Sequence, residues 1–325
     1  MNLNALHVGV IDSPDNPDFD KIYECYSKVF TLPSERESKE NFIEVLKRNA
    51  DPEVQASKAK EMWIYLRDRS GRVVGASNID VFAGSSGRGV DGTLQGIYTF
   101  VDPDYRNKGV FTRLVAEREK AAVNFCKQHY PNVADPQVIT FVEQNSPMLM
   151  TAEEYLADNK AAGIDQCVRR TVFEKAGFRT AGFRYIQPDL EAVGGKGKCE
   201  YLDMQIKART GSIPAATIRE HLSRFFKLSF PAGTAIENSG LEAMNNSLPP
   251  KGEIHLAPPG MFATLSSTVV NENTLIKLKP EERHLPLHQA LAPYFPMLSR
   301  VTKRMPGISI IGNGINTTDG ASRAG

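Results

Sequence analysis

A chain of 325 residues is long enough for one large domain or two modest ones. Its 39 lysines and arginines nearly cancel 38 aspartates and glutamates, so no global field favours nucleic acid or an anionic membrane as partner. No apolar run approaches the roughly 20 residues that span a bilayer. Met1 to His7 lacks the basic start and long apolar core of a signal peptide. Cys25, Cys126, Cys167 and Cys199 are scattered without paired spacing, a pattern that fits buried thiols in a reducing cytoplasm, the expected location.

In chain order, Asp18 to Phe30 reads as an amphipathic helix with Phe19, Ile22, Tyr23, Tyr26 and Phe30 as its apolar set. Ser38 caps a second helix running to Arg48. Met62–Leu66 and Val73–Ser77 flank Asp68–Arg72, a hairpin pattern about a glycine-containing turn. Ala83 to Gly92 is a glycine- and serine-rich loop, and Thr93 to Val101 is an apolar strand closed by Asp102-Pro103. Next comes the basic turn Arg106-Asn107-Lys108-Gly109-Val110-Phe111, then a helix from Phe111 to about Gln128. A strand, a tight basic turn with glycine and a helix together make an anion site. The turn's amides converge, the helix N-terminus adds about half a positive charge, and glycine lets the backbone come close.

Val138 to Val142 reads as a short buried strand followed by Glu143-Gln144-Asn145. Residues 147–166 form an insertion with a helix start at Thr151, either a solvated acidic flap or a lid shaping an acceptor pocket. Thr171 to Phe178 has the form of a helix ending at Gly177 in the left-handed conformation. The chain then runs through Phe178 to Tyr185, the Gly194–Lys198 run, and a last strand at Tyr201–Ile206. Ile213 to Phe226, with Pro214 at its start, reads as one amphipathic helix. Short apolar runs follow at Met261–Leu265 and Leu275–Leu278. His284 and His288 share a spacing with metal ligands, but Pro286 between them and the lack of a third ligand nearby argue for no metal.

Two of these stretches resemble the GNAT acetyltransferase superfamily. Val101-Asp102-Pro103, Arg106 and Gly109 match its Val-x-Pro and Gln/Arg-x-x-Gly-x-Gly/Ala acyl-CoA loop, with Phe111 at the final small position. Phe173-Glu174-Lys175-Ala176-Gly177-Phe178 is similar to its Tyr-Glu-Lys-x-Gly-Phe signature, with Phe173 at the tyrosine. Glu143 to Pro188 also resembles bacterial GNAT-type proteins of unassigned substrate. The connection from Asn145 to Phe173 is longer than the family's usual one, which makes 147–166 an insertion. The resemblance implies an α/β (α+β) fold, a mixed central sheet flanked by helices, with a C-terminal accessory region. Residues 1–209 would be the acyl-CoA-binding domain and 210–303 the accessory region, covering the substrate side or joining two copies in a homodimer. Residues 304–325 would be a mobile tail.

The resemblance further implies N-acetyl transfer from acetyl-CoA, the acyl-donor substrate, to an amine acceptor the sequence does not name. The strand ending at Val101 would splay from its neighbour, freeing Phe100 and Val101 for the pantetheine arm. The Val101 amide, or one next to it, would donate to the thioester oxygen, a contact worth about 3 kcal/mol. Amides of Lys108, Gly109, Val110, Phe111 and Thr112 would hold the pyrophosphate. Arg106, Asn107, Lys108, Arg113 and Asn145 are further contacts. Ile97 stands where many relatives have a catalytic glutamate, so Glu143 is the expected base and Tyr98, or water, the acid. Orienting two reactants alone can supply roughly 7 kcal/mol or more at best. The readings from other classes are a CoA-binding sensor without turnover, and an assembly module working through the C-terminal region.

Overall fold

The computed structural model describes residues 2–31, 36–84, 89–187, 199, 201–229, 236–258, 260, 270 and 272–295. The Gly194–Lys198 run, the Met261–Leu265 run, the tail 304–325 and part of the loop before Gly92 lie outside the described residues.

Among the described residues, seven strands form one mixed sheet in the order β1-β2-β3-β4-β5-β7-β6. They are β1 His7–Ile11, β2 Ala59–Arg67, β3 Val73–Ala83, β4 Gly92–Val101, β5 Val138–Asn145, β6 Arg179–Thr180 and β7 Leu202–Lys207. Every pairing is antiparallel except β4 with β5. This is the mixed sheet flanked by helices that was expected. The central strands are apolar on both faces because helices cover both. Met62, Ile64, Ile79, Val81 and Leu94 pack against Ala122, Phe125 and Cys126 of α4, Val110–His129. On the opposite face Trp63, Tyr65, Ala76 and Phe100 meet α1, Phe19–Val29, and α2, Lys39–Arg48, which is followed by the short α3, Pro52–Ala56. The Ser38 side chain caps α2 by accepting from the Asn41 amide at 3.1 Å.

Three expected boundaries move. The strand expected to end at Val142 runs on to Asn145, which places Glu143 inside it. From Phe178–Tyr185 only Arg179–Thr180 joins the sheet as a strand, with a single further bridge from Ala181 to Leu256. Ile213 and Pro214 belong to a short strand, β8, Ser212–Pro214, paired with β9, Glu253–His255. The helix α7 therefore begins one residue past the proline and spans Ala215–Ser229. The hydrophobic period did not separate these, because Ile213 is buried in the same cluster as the helix face.

Helix α7 lies on the α1–α2 face of the sheet. Its Ile218, Leu222, Phe225 and Phe226 share one core with Phe82, Ile139, Phe141, Met204 and Ile206. Arg224 fixes its far end by donating to the carbonyls of Gly84 at 2.8 Å and Ser57 at 2.7 Å. The insertion forms α5, Ala152–Ala162, opened by a Thr151–Glu154 capping box, and leads into α6, Gln166–Lys175. It is packed rather than a solvated flap: Met148, Met150 and Tyr155 form a core with Leu275, Leu287 and Leu291.

Candidate active site

β4 and β5 pair in parallel from Gly92 opposite Val138 to Gly96 opposite Val142, and there the ladder stops. Both strands continue, β4 to Val101 and β5 to Asn145. The cause lies in the β3–β4 ladder. Ile79 pairs with Gly96 while Asn78 pairs with Tyr98, so Ile97 is an extra residue in the ladder. Such a bulge bends and twists its strand. On its other edge β5 stays paired with β7 throughout, from Thr140 opposite Lys207 to Asn145 opposite Leu202, so it follows β7 and not β4. A wedge-shaped opening results, with one backbone edge of β4 unpaired. The Asp102 amide donates to the Val74 carbonyl at 3.0 Å. Antiparallel alternation then directs the amides of Val101 and Thr99 away from β3, into the opening. Val101 was expected there; Thr99 was not. Phe100 is turned the other way, its ring buried beside α1 and α2.

The basic turn closes the end of this opening. Asn107 has φ of 59° and Gly109 of 81°, the left-handed region that asparagine tolerates and glycine prefers. The first helical hydrogen bond runs from the Arg113 amide to the Gly109 carbonyl at 3.0 Å. Among the described residues, none of the amides from Asn107 to Thr112 donates to a backbone carbonyl. These are the orphan donors of a helix N-terminus, and they suit an anion. The basic side chains are partly engaged. Arg106 donates to the Gly163 carbonyl of the insertion at 3.0 Å, and Lys108 to the Asp104 carbonyl at 2.7 Å. Arg113 turns along the helix to Glu117 at 2.7 Å.

The departures within the two motifs, Phe111 and Phe173, are one feature. Phe111 and Phe173 pack ring to ring at 4.7 Å, in a cluster with Val115, Val142 and Phe178. Phe111 therefore points into the core and leaves the turn clear.

Glu143 and Tyr98 lie on the α1–α2 face beside the opening. Burial pushes the half-buried Glu143 carboxyl up to about 7, against the opposing effect of the Tyr185 hydroxyl, which donates to it at 2.6 Å. Burial holds the Tyr98 phenol well above its usual value, with Tyr26, Glu37 and Glu143 adding to the effect. Its ring packs among Tyr26, Phe30 and Phe42. Asn145 donates to Asp158 of α5 at 3.0 Å, tying the edge of the opening to the insertion.

A polar row on this face was not anticipated. Glu61, Asp80 and Gln95 stand opposite one another on β2, β3 and β4, all buried. Burial raises the Glu61 carboxyl to about 7 and raises Asp80 well above its ordinary value, the nearby Glu61 adding to the latter. His221 of α7 completes the row, with Nε2 at 3.0 Å from Gln95 Oε1 and Nδ1 at 2.9 Å from Thr93 Oγ1. Its ring stacks on Phe141 at 3.8 Å, and burial, aided by Arg224, pushes its pKa down to about 3. The neutral ring thus donates from Nε2 and accepts at Nδ1. Polar Asn78 and Asp80 at inward positions of an otherwise apolar strand were the available clue.

Among the described residues no group of three or more metal-ligating side chains occurs, and His288 Nδ1 sits 2.8 Å from the Met148 carbonyl. No described helix is long and apolar enough to cross a membrane.

No protein-family model matches the sequence, and no curated protein does. Solved structures similar to the chain include an aminoglycoside 6'-N-acetyltransferase complexed with coenzyme A. It is 14% identical, covering 62% of this chain and 96% of that one at a TM-score of 0.37. The ribosomal-protein-S18-alanine N-acetyltransferase of Escherichia coli is 12% identical over 62% and 93%, at 0.34. A GNAT-family acetyltransferase of Staphylococcus aureus is 11% identical over 63% and 100%, at 0.33. The likeness is one of fold alone, and with TM-scores under 0.5 it carries no further argument.

Proposed function

We propose that the chain is an N-acyltransferase that moves an acetyl group from acetyl-CoA to a primary amine of a small molecule or peptide, by direct attack with both reactants bound. The observation that carries this is the departure of β4 from β5 past Gly96, ending at a turn rich in unengaged amides. The unpaired edge of β4 suits an extended amide-bearing arm, and the turn suits a diphosphate. The amides of Thr99 and Val101 then donate to the thioester oxygen as charge develops on it. Glu143, poised near neutrality, draws the proton from the attacking amine directly or through water. The new N–C bond forms as the C–S bond breaks, and Tyr98 supplies a proton to the departing thiolate. The α7 region lies on the face that presents Glu143 and Tyr98, in keeping with a covering role on the acceptor side.

Calorimetric titration with coenzyme A, followed by thiol release from acetyl-CoA across an amine panel, tests the proposal. Absence of binding removes it. Binding without turnover on any amine would favour the sensor reading, whose support is Phe173 in place of the tyrosine and Ile97 in place of the strand glutamate.

A further inference from the structure

At the apex of the opening sits a charge that forms no ion pair among the described residues. The Arg118 guanidinium is fully buried on the α4 side of β4. A Cβ on Gly96 would stand 2.9 Å from its Nη1 and 2.9 Å from Val142 Cγ1, so the guanidinium lies where the two strands part. Nη1 reaches only Thr99 Oγ1, at 3.5 Å, while Nε and Nη2 have no hydrogen-bond partner among the described residues. The acids next to it on α4 are engaged elsewhere: Glu117 with Arg113, and Glu119 with Lys207 at 2.8 Å. Burial lowers the guanidinium only to about 10, so it stays protonated at neutral pH. The ring of Phe178 lies 5.2 Å away, and the Glu119 carboxylate, though paired with Lys207, offsets part of the effect of burial from a distance.

We propose that this apex is a subsite for the far end of the acyl group, and that the preferred donor is a short acyl-CoA ending in a carboxylate, anchored by Arg118. The inference rests on the acyl-CoA reading of the opening. An isolated buried cation is costly, and a bound carboxylate relieves the cost with charge-assisted hydrogen bonds to a fork-shaped donor. The thioester oxygen has its own donors in the Thr99 and Val101 amides, which leaves the guanidinium, deeper at Gly96, to the acyl terminus. Glycine at position 96 leaves the guanidinium its place, because a Cβ there would stand 2.9 Å from Nη1 and displace it. The transferred bond is unaltered: nitrogen gains the acyl carbon, sulfur loses it, and the terminal carboxylate passes through unchanged.

Calorimetry on the full chain with coenzyme A, butyryl-CoA and succinyl-CoA tests this without knowledge of the acceptor. Succinyl-CoA is expected to bind about ten-fold tighter than butyryl-CoA, the scale of one charge-assisted contact. Arg118→Met should bring that ratio to about one, and Arg118→Lys should keep part of it, as a charge without the fork would. Equal binding of the two acyl-CoAs by the unmodified protein overturns the inference while leaving the acyl-CoA reading in place. If Arg118→Met weakens both to the same extent, the guanidinium serves the shared part of the donor and the inference also fails. Failure of coenzyme A itself to bind removes the underlying reading, and the subsite with it.

Discussion

Glu143 and His221 lie on one face of the sheet, the first half-buried and the second fully buried, and burial moves their protonation in opposite directions. Glu143 is raised to about 7, so its basic form accumulates as pH rises through neutrality. The rate of acyl transfer should climb about ten-fold per pH unit below that value and level off above it. Glu143→Gln is expected to lower kcat about 100-fold or more and to flatten that limb; a retained limb would assign the base elsewhere. His221 is pushed down to about 3 from an ordinary 6.5. Below pH 6.5 the unfolded chain then binds a proton that the folded one refuses, so stability falls with acidity by up to about 1.4 kcal/mol per pH unit from this group. His221→Phe keeps an aromatic ring over Phe141 and removes the titration. Chemical denaturation between pH 4 and 7 should show a shallower acid slope for the variant, though it is less stable at pH 7 by about 2 kcal/mol for the orphaned Gln95 and Thr93. Equal slopes would mean that His221 takes up its proton in the fold.

Among the elements, those governed by local pattern were legible in the sequence. The β2–β3 hairpin, the strand into the basic turn, the long helix after it and the Ser38 cap all follow from periodicity and turn residues within a dozen positions. What was hidden depends on partners far apart in the chain. The Gln95–His221 contact spans 126 residues, and the mutual packing of Phe111 and Phe173 spans 62. Neither leaves a local signal. β1 escaped notice because an edge strand with Val8 and Val10 partly exposed has no inward–outward contrast. The same long-range logic holds α6 to the sheet. Arg170 is fully buried and meets Asp203 of β7 through both terminal nitrogens, with Thr180 accepting a further bond at 2.8 Å. Removing the carboxylate from such a pair commonly costs about 3–5 kcal/mol. Asp203→Ala should lose stability on that scale by chemical denaturation, while exposed Asp135→Ala, its partner Arg209 also in solvent, should lose less than about 1 kcal/mol. Similar losses from both would deny the buried pair its special standing.

At the scale of the whole molecule, the proposed division between residues 1–209 and 210–303 separates roles more readily than it separates cores. Five apolar side chains of α7, Ile218, Leu222, Phe225, Phe226 and Leu228, are buried in a cluster that includes Phe82, Phe141 and Met204 of the sheet. At about 2 kcal/mol each their burial is worth roughly 10 kcal/mol, as much as the entire net stability of an ordinary domain. The insertion is joined in the same way to Leu275, Leu287 and Leu291, whose backbone neighbours include a 2.8 Å bond from the Leu287 amide to the Met150 carbonyl. A chain ending at Arg209 would therefore expose the sheet face that carries Phe82, Phe141 and Met204 and strip the insertion of its packing. It should be expanded and aggregation-prone, binding a hydrophobic dye that the full chain does not. Calorimetry of the full chain should correspondingly give one cooperative transition, because neither part can unfold without opening the core of the other. Two separated transitions, or a soluble and sharply melting 1–209 fragment, would show that the sheet supports itself and that α7 is only laid upon it.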